Sequence, residues 1–181
     1  MQLFAVEHSA IAYRIDFALY GLVTAALAVG MATEAPPALR GQLLALTVAG
    51  LLGWTLAEYL LHRFVLHGIP PFKHWHAEHH RRPMALMGSP TVLSAALFLV
   101  AVFLPAWWLG GAWRASALTC GMLSGYLAYA IIHHATHHSR SHHPWLLRRK
   151  RWHALHHAPG GGARHYGVSG KAWDLAFGTA R

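Results

Sequence analysis

The sequence predicts an all-α integral membrane protein: four transmembrane helices in two hairpins, with a cytoplasmic, histidine-rich helical cap. Three observations carry that prediction. Hydrophobic residues make up 55% of the 181 and charged residues only 12%, about half the charged share of a soluble domain. The apolar residues fall in blocks of membrane-spanning length, bounded by proline and glycine. Of the 15 Lys and Arg residues, 13 fall on one side of the topology those blocks imply.

A hydrocarbon core of about 30 Å takes about 20 apolar residues in a helix. The first span covers about 11–32, with Arg14 and Asp16 near its start. It closes at Glu34-Ala-Pro-Pro, because proline cannot continue a helix. The second covers about 41–61. The third, about 90–109, opens on Ser89 as cap and Pro90 at the first helical position. Gly110-Gly111 breaks it, and the fourth covers about 112–134. Segments 62–89 and 135–181 stay outside the membrane, and residues 1–181 read as a single membrane domain.

The connections 33–40 and 110–113 are short enough to make hairpins, so the N-terminus, the middle loop and the tail share one side. Only Arg40 and Arg114 lie opposite. The positive-inside rule then places that shared side, with both termini, in the cytoplasm. Trp107, Trp108 and Trp113 gather at the outer end of the second hairpin, where an aromatic belt belongs. Trp145 and Trp152 flank Arg148-Arg149-Lys150-Arg151, a run suited to anionic headgroups at about 1 kcal/mol per basic residue. The net charge of +9 does not point to nucleic acid, since the basic residues flank apolar blocks rather than line a polar face. Glu7 before the first apolar run, and no cleavage site after it, argue against a secretory signal. A single cysteine, Cys120, excludes an internal disulfide and reads as apolar packing.

Histidine is the anomaly. Sixteen of the 17 histidines follow residue 60, and twelve of those form four clusters on the cytoplasmic side. They are Glu58-Tyr-Leu-Leu-His62-Arg-Phe-Val-Leu-His67, His76-Ala-Glu-His79-His80, His133-His134-Ala-Thr-His137-His138 and His153-Ala-Leu-His156-His157. An α-helix returns to one face every three or four residues, so each His-x-x-His-His gathers its imidazoles on one side. An unstructured metal-sequestering tract would be of low complexity, whereas whole membrane helices separate these clusters. The two triplets and the pairs His62/His67 and His133/His137 offer ten ligands, which exceed the needs of one ion and imply two. Imidazole suits iron, zinc and copper alike, leaving the metal open at this point. Glu58, four residues before His62, is expected to accept from a ligand imidazole and orient it.

These residues resemble the fatty acid hydroxylase and sterol desaturase superfamily, from about Leu56 to Thr179. The Glu58–His67 stretch is similar to the family's first box. His76, His79 and His80 resemble the second, Gly125 to His137 the third, and His153, His156 and His157 the last. The ending from Tyr166 through Trp173-Asp174-Leu-Ala-Phe-Gly-Thr179 resembles the closing signature. Within the superfamily the resemblance is nearest to fatty acid 2-hydroxylases acting on sphingolipid acyl chains.

The resemblance implies a non-haem di-iron monooxygenase that inserts oxygen from O₂ into a lipid C–H bond. Its two irons, which zinc can replace in purified samples, would be held by His62, His67, His76, His79, His80, His133, His137, His153, His156 and His157. Asp174 would support them alongside Glu58. His134 and His138 stand at positions that vary in relatives and are left out. The departures are Ala130, where many relatives carry Asp, and His165, read as a surface histidine. No cytochrome b5-like segment accompanies these motifs, so a separate cytochrome b5-like or ferredoxin-like donor is expected.

Tyr126 and Tyr129 read either as lining the path of a lipid substrate or as ordinary packing aromatics. Gly160-Gly-Gly162 reads as a flexible turn beside the site, not a phosphate loop. Within the same superfamily a carotenoid or sterol hydroxylase or desaturase is the alternative, and a membrane metal-binding or transport protein is the non-enzymatic one. Transport calls for polar ligands at mid-membrane, and every cluster here lies toward one face.

Overall fold

The computed structural model describes residues 7–159 and 163–180, and Gly160-Gly-Gly162 lies outside the described residues. Seven α-helices order these residues: α1 Ala10–Glu34, α2 Arg40–Leu60, α3 Phe72–Arg81, α4 Thr91–Leu97, α5 Leu104–His138, α6 Pro144–His157 and α7 Ala172–Ala176. A widened π turn, Leu61–Leu66, continues α2, and a second, Phe98–Phe103, joins α4 to α5. Among the described residues the only β pairing is an isolated bridge between Glu7 and Met87.

Three continuous helical stretches are long and apolar enough to cross a membrane: Ala10–Glu34, Pro37–Leu66 and Thr91–His138. Only 6% of the most apolar window of the first is buried within the protein, and 11% of that of the third. Leu22, Leu44, Val100 and Leu109 stand mostly uncovered along them. Water would not tolerate so much exposed apolar surface, so lipid is the solvent and the chain is a membrane protein.

Local chemistry explains the boundaries. Ser9 caps α1, accepting from the Ala12 amide at 3.2 Å. Pro36 and Pro37 end that helix and open a short 3-10 turn into α2. Pro90, rather than Ser89, occupies the capping position before α4, one residue later than the sequence pattern indicated. Gly111, at φ 78 and ψ 174, interrupts the helical path inside α5 where the Gly-Gly pair predicts a break. A side chain is rarely found at that φ, and glycine occupies it without strain.

The chain divides into two compact units, Met1–Trp54 with Leu86–Leu127 and Thr55–Ala85 with Ala128–Arg181. In the first, α2 and α5 approach closely through Gly50 and Gly121. A methyl added at Gly121 would strike the Thr47 carbonyl, and one at Gly50 the Leu118 carbonyl. Small residues at such crossings let dispersion forces act between backbones where lipid supplies no hydrophobic drive. Tyr20, Trp54, Phe98 and Tyr126 form an aromatic cluster there, with Trp54 and Tyr126 centroids 5.2 Å apart. In the second unit, the π turn after α2, helices α3 and α6 and the end of α5 carry the histidine clusters.

Gly121→Ala should destabilise the protein by about 1–3 kcal/mol through overpacking. Gly30→Ala, whose added methyl meets nothing within 4 Å, should leave stability unchanged or slightly raised. Unfolding of both variants in detergent, followed by tryptophan fluorescence, checks the contrast.

Candidate metal centre

The π turn at the end of α2 supplies the first two imidazoles. In an α-helix, residues five apart point about 140° away from each other. Here the His67 amide donates to the His62 carbonyl at 3.2 Å, an i to i+5 bond that widens the turn and brings both rings to one side. The sequence pattern ends this helix near 61, whereas it continues to Leu66 because the wider turn accommodates that spacing. Helix α3 contributes His76, His79 and His80. The end of α5 contributes His133 and His137, and α6 contributes His153, His156 and His157.

All ten histidines singled out in the sequence come together, sorted into two groups of five. One group is His62, His67, His76, His80 and His156; the other is His79, His133, His137, His153 and His157. Within each group the ligand nitrogens lie within 4.8 Å of one another. The two groups adjoin where His80 stacks on His157, centroids 4.1 Å apart.

In the first group Nε2 of His76 lies 3.0 Å from Nε2 of both His62 and His80, and His67 and His156 approach equally closely. In the second, the contacts are His79–His133 at 3.1 Å, His133–His137 at 3.3 Å, His137–His153 at 2.9 Å and His153–His157 at 3.1 Å. Ligands at right angles around an ion about 2.1 Å away sit about 3.0 Å apart, and tetrahedral ones about 3.4 Å. The spacing therefore suits a five- or six-coordinate ion in each group. His62 and His156 donate through Nδ1 to backbone carbonyls, so both present a bare Nε2 lone pair inward. Convergent lone pairs of this kind fit a cation.

The sequence profile of the fatty acid hydroxylase family matches residues 47–179. The chain belongs to the fatty acid hydroxylase family. Among solved structures, that of full-length Scs7p, in which only the hydroxylase domain is visible, is similar to this hydroxylase. It shares 26% identity at a TM-score of 0.79, over 97% of this chain and 68% of that one. Comparison with curated proteins gives no match.

Behind the imidazoles of this hydroxylase, the 164–169 loop is held by two buried acids. The Arg164 carbonyl accepts from His156 Nδ1 at 2.7 Å, and the Tyr166 carbonyl from His62 Nδ1 at 2.5 Å. Asp174, fully buried, accepts from the Tyr166 and Gly167 amides at 2.8 Å each, from the Thr179 hydroxyl at 2.7 Å and from the Trp152 indole at 3.2 Å. Glu58 accepts from the Val168 amide at 2.7 Å, the Ser169 amide at 2.8 Å and the Ser169 hydroxyl. The expectation that Glu58 accepts from a ligand imidazole is thus corrected. Its carboxylate is taken by the loop, and it reaches His62 only through the backbone.

His165 differs from expectation too. It is buried against Trp152, not at the surface, and its φ of 55 turns the chain between the two accepting carbonyls. A side chain of this kind tolerates the left-handed region better than most. Neither the loop nor His165 carries a sequence signal beyond the closing signature. Tyr129 stacks on His133 with centroids 5.7 Å apart, and Tyr126 takes part in the aromatic cluster of the first unit. His134 and His138 stack on each other, 4.5 Å apart, outside both groups of five.

Burial, the largest cause in each case, and neighbouring charged or imidazole groups push these imidazoles down from the usual histidine range. His67 falls to about 4, His79 and His156 to about 3, and His157 to about 2; His76 and His153 also lie well below it. All are therefore neutral donors near pH 7. An unfolded chain holds them near about 6.5, so at lower pH the unfolded state takes up protons that the folded, metal-free state refuses. Stability is complete above about pH 6.5 and is lost as pH falls toward about 4. The thermal midpoint of metal-free protein should be level from about pH 7 to 8.5 and decline steeply between about 6.5 and 4, as scanning calorimetry in detergent would record.

Proposed function

We propose that this hydroxylase is a membrane-bound di-iron enzyme oxidising a fatty acyl chain, of a fatty acid or a sphingolipid, with O₂. The observation that carries this reading is the pair of adjoining five-imidazole groups in a chain of the fatty acid hydroxylase family. Two bound irons would supply the O₂-reducing chemistry that oxidises an unactivated C–H bond. One oxygen atom enters that bond and the other leaves as water. The reaction consumes two electrons, for which a separate cytochrome b5-like or ferredoxin-like donor is proposed, and two protons from solvent, which leave in the water.

The residues divide the work. Ten neutral imidazoles hold the ions without the carboxylates that soluble di-iron bundles use, so the ligands leave the ions' positive charge uncompensated. The right-angle spacing of the Nε2 atoms favours a five- or six-coordinate ion over tetrahedral zinc. The carbonyls of Arg164 and Tyr166 fix two rings in the Nδ1–H tautomer, and burial keeps protons from competing for the others. Tyr129, stacked on His133, is the residue we assign to the substrate path. Tyr126, the other tyrosine read as lining that path, packs its ring against Tyr20, Trp54 and Phe98.

The proposed topology has four spans, with the histidine cap and both termini in the cytoplasm. Its support is the break at Gly111. Thr91–His138 has 48 residues and as one straight helix would reach about 72 Å, more than twice the hydrocarbon core. The distribution of Lys and Arg sets the orientation.

Lipid mass spectrometry of cells grown under ¹⁸O₂ tests the function. A fatty acyl lipid should gain one labelled oxygen with the intact protein and lose that label with His79→Ala. Label appearing only in a carotenoid or sterol would move the substrate elsewhere in the superfamily. Label unchanged by His79→Ala would overturn the ligand assignment.

A further inference from the structure

The two groups of five are built from the same side chain, yet their surroundings differ. In the first group, two rings are fixed from behind. His62 donates to the Tyr166 carbonyl and His156 to the Arg164 carbonyl. Those carbonyls are themselves immobilised, because Asp174 takes the amides of Tyr166 and Gly167 while Glu58 takes those of Val168 and Ser169. The chain of hydrogen bonds runs from two buried carboxylates through one loop to two imidazoles.

The second group has nothing equivalent. Among the described residues no Nδ1 of His79, His133, His137, His153 or His157 has a hydrogen-bond acceptor. Those of His79, His153 and His157 are buried without one. His133 stacks beneath Tyr129 and His157 against His80, and the five rings otherwise meet one another edge-on.

We infer that the two metal sites are inequivalent. The site of His62, His67, His76, His80 and His156 holds its ion tightly, and that of His79, His133, His137, His153 and His157 holds its ion weakly and releases it first. A hydrogen bond to the far nitrogen of a ligand imidazole fixes its tautomer, aims its lone pair and raises its basicity. Removing such a partner lowers metal affinity by about 10- to 100-fold. Glu58 and Asp174 are positioning residues in this account, acting on the metal through the backbone of the loop. The inference rests on the two-metal reading of the site.

The test uses full-length protein in detergent, loaded with ferrous iron under anaerobic conditions and then titrated with EDTA. Iron retained per chain is read by mass spectrometry of the metal. Uptake of fewer than two ions per chain before any EDTA is added would refute the two-metal reading itself. With two ions loaded, release should occur in two steps. Neighbouring cations repel, however, so two steps alone would also follow from equal sites.

Variants holding one ion remove that ambiguity. His157→Ala, which keeps the first site, should release its ion at about 10- to 100-fold more EDTA than His67→Ala, which keeps the second. Ser169→Ala removes one of the donors that seat Glu58 and leaves every ligand in place. It should move the tight step toward the weak one and leave the weak step where it was. Equal midpoints for the two histidine variants, or a shift of both steps together in Ser169→Ala, would overturn the inference.

Discussion

Ten imidazole nitrogens aimed at one another within two small volumes are the arrangement on which the second unit depends. Neutral rings with lone pairs about 3 Å apart repel, and burial has removed the water that would otherwise satisfy them. A cation at each focus would turn that cost into a stabilising term and tie four separate chain segments together. The depressed proton affinities of His67, His79, His156 and His157 express the same constraint. Low-dielectric surroundings exclude the proton and leave the nitrogen lone pair open to a cation.

Helical arithmetic then makes two sites out of one repeated motif. In α3 the i, i+4 pair His76 and His80 enters the first group, while His79 enters the second. In α6 the pair His153 and His157 enters the second group, while His156 enters the first. Each His-x-x-His-His thus gives a pair to one group and a single ring to the other, and the two copies do so in opposite senses. Five ligands per group result once the π turn adds His62 and His67 to one and α5 adds His133 and His137 to the other.

The elements that were legible in sequence are those governed by short periodicities. Membrane-length helices, the break at Gly111 and the convergence of the histidines follow from apolar runs, glycine chemistry and three- or four-residue spacing. What escaped depends on contacts remote in sequence. Glu58 lies one helical turn from His62, so local reasoning pairs them. Its actual partners are Val168 and Ser169, more than 100 residues on. The allocation of His79 and His156 to groups other than those of their neighbours also needed the tertiary structure. So did the burial of His165, a polar residue in a segment without periodicity. The π turn escaped as well: the five-residue spacing of His62 and His67 does not suit an α-helix, and the widened turn that reconciles it became evident only in the structure.

X-ray absorption at the iron edge of the loaded protein tests the central claim most directly, because it counts the atoms bound to the ions. The account predicts a first shell dominated by nitrogen at about 2.1 Å, about five per iron, with the outer-shell scattering of imidazole rings. A shell containing sulfur, or one dominated by carboxylate oxygen with few imidazoles, would contradict it.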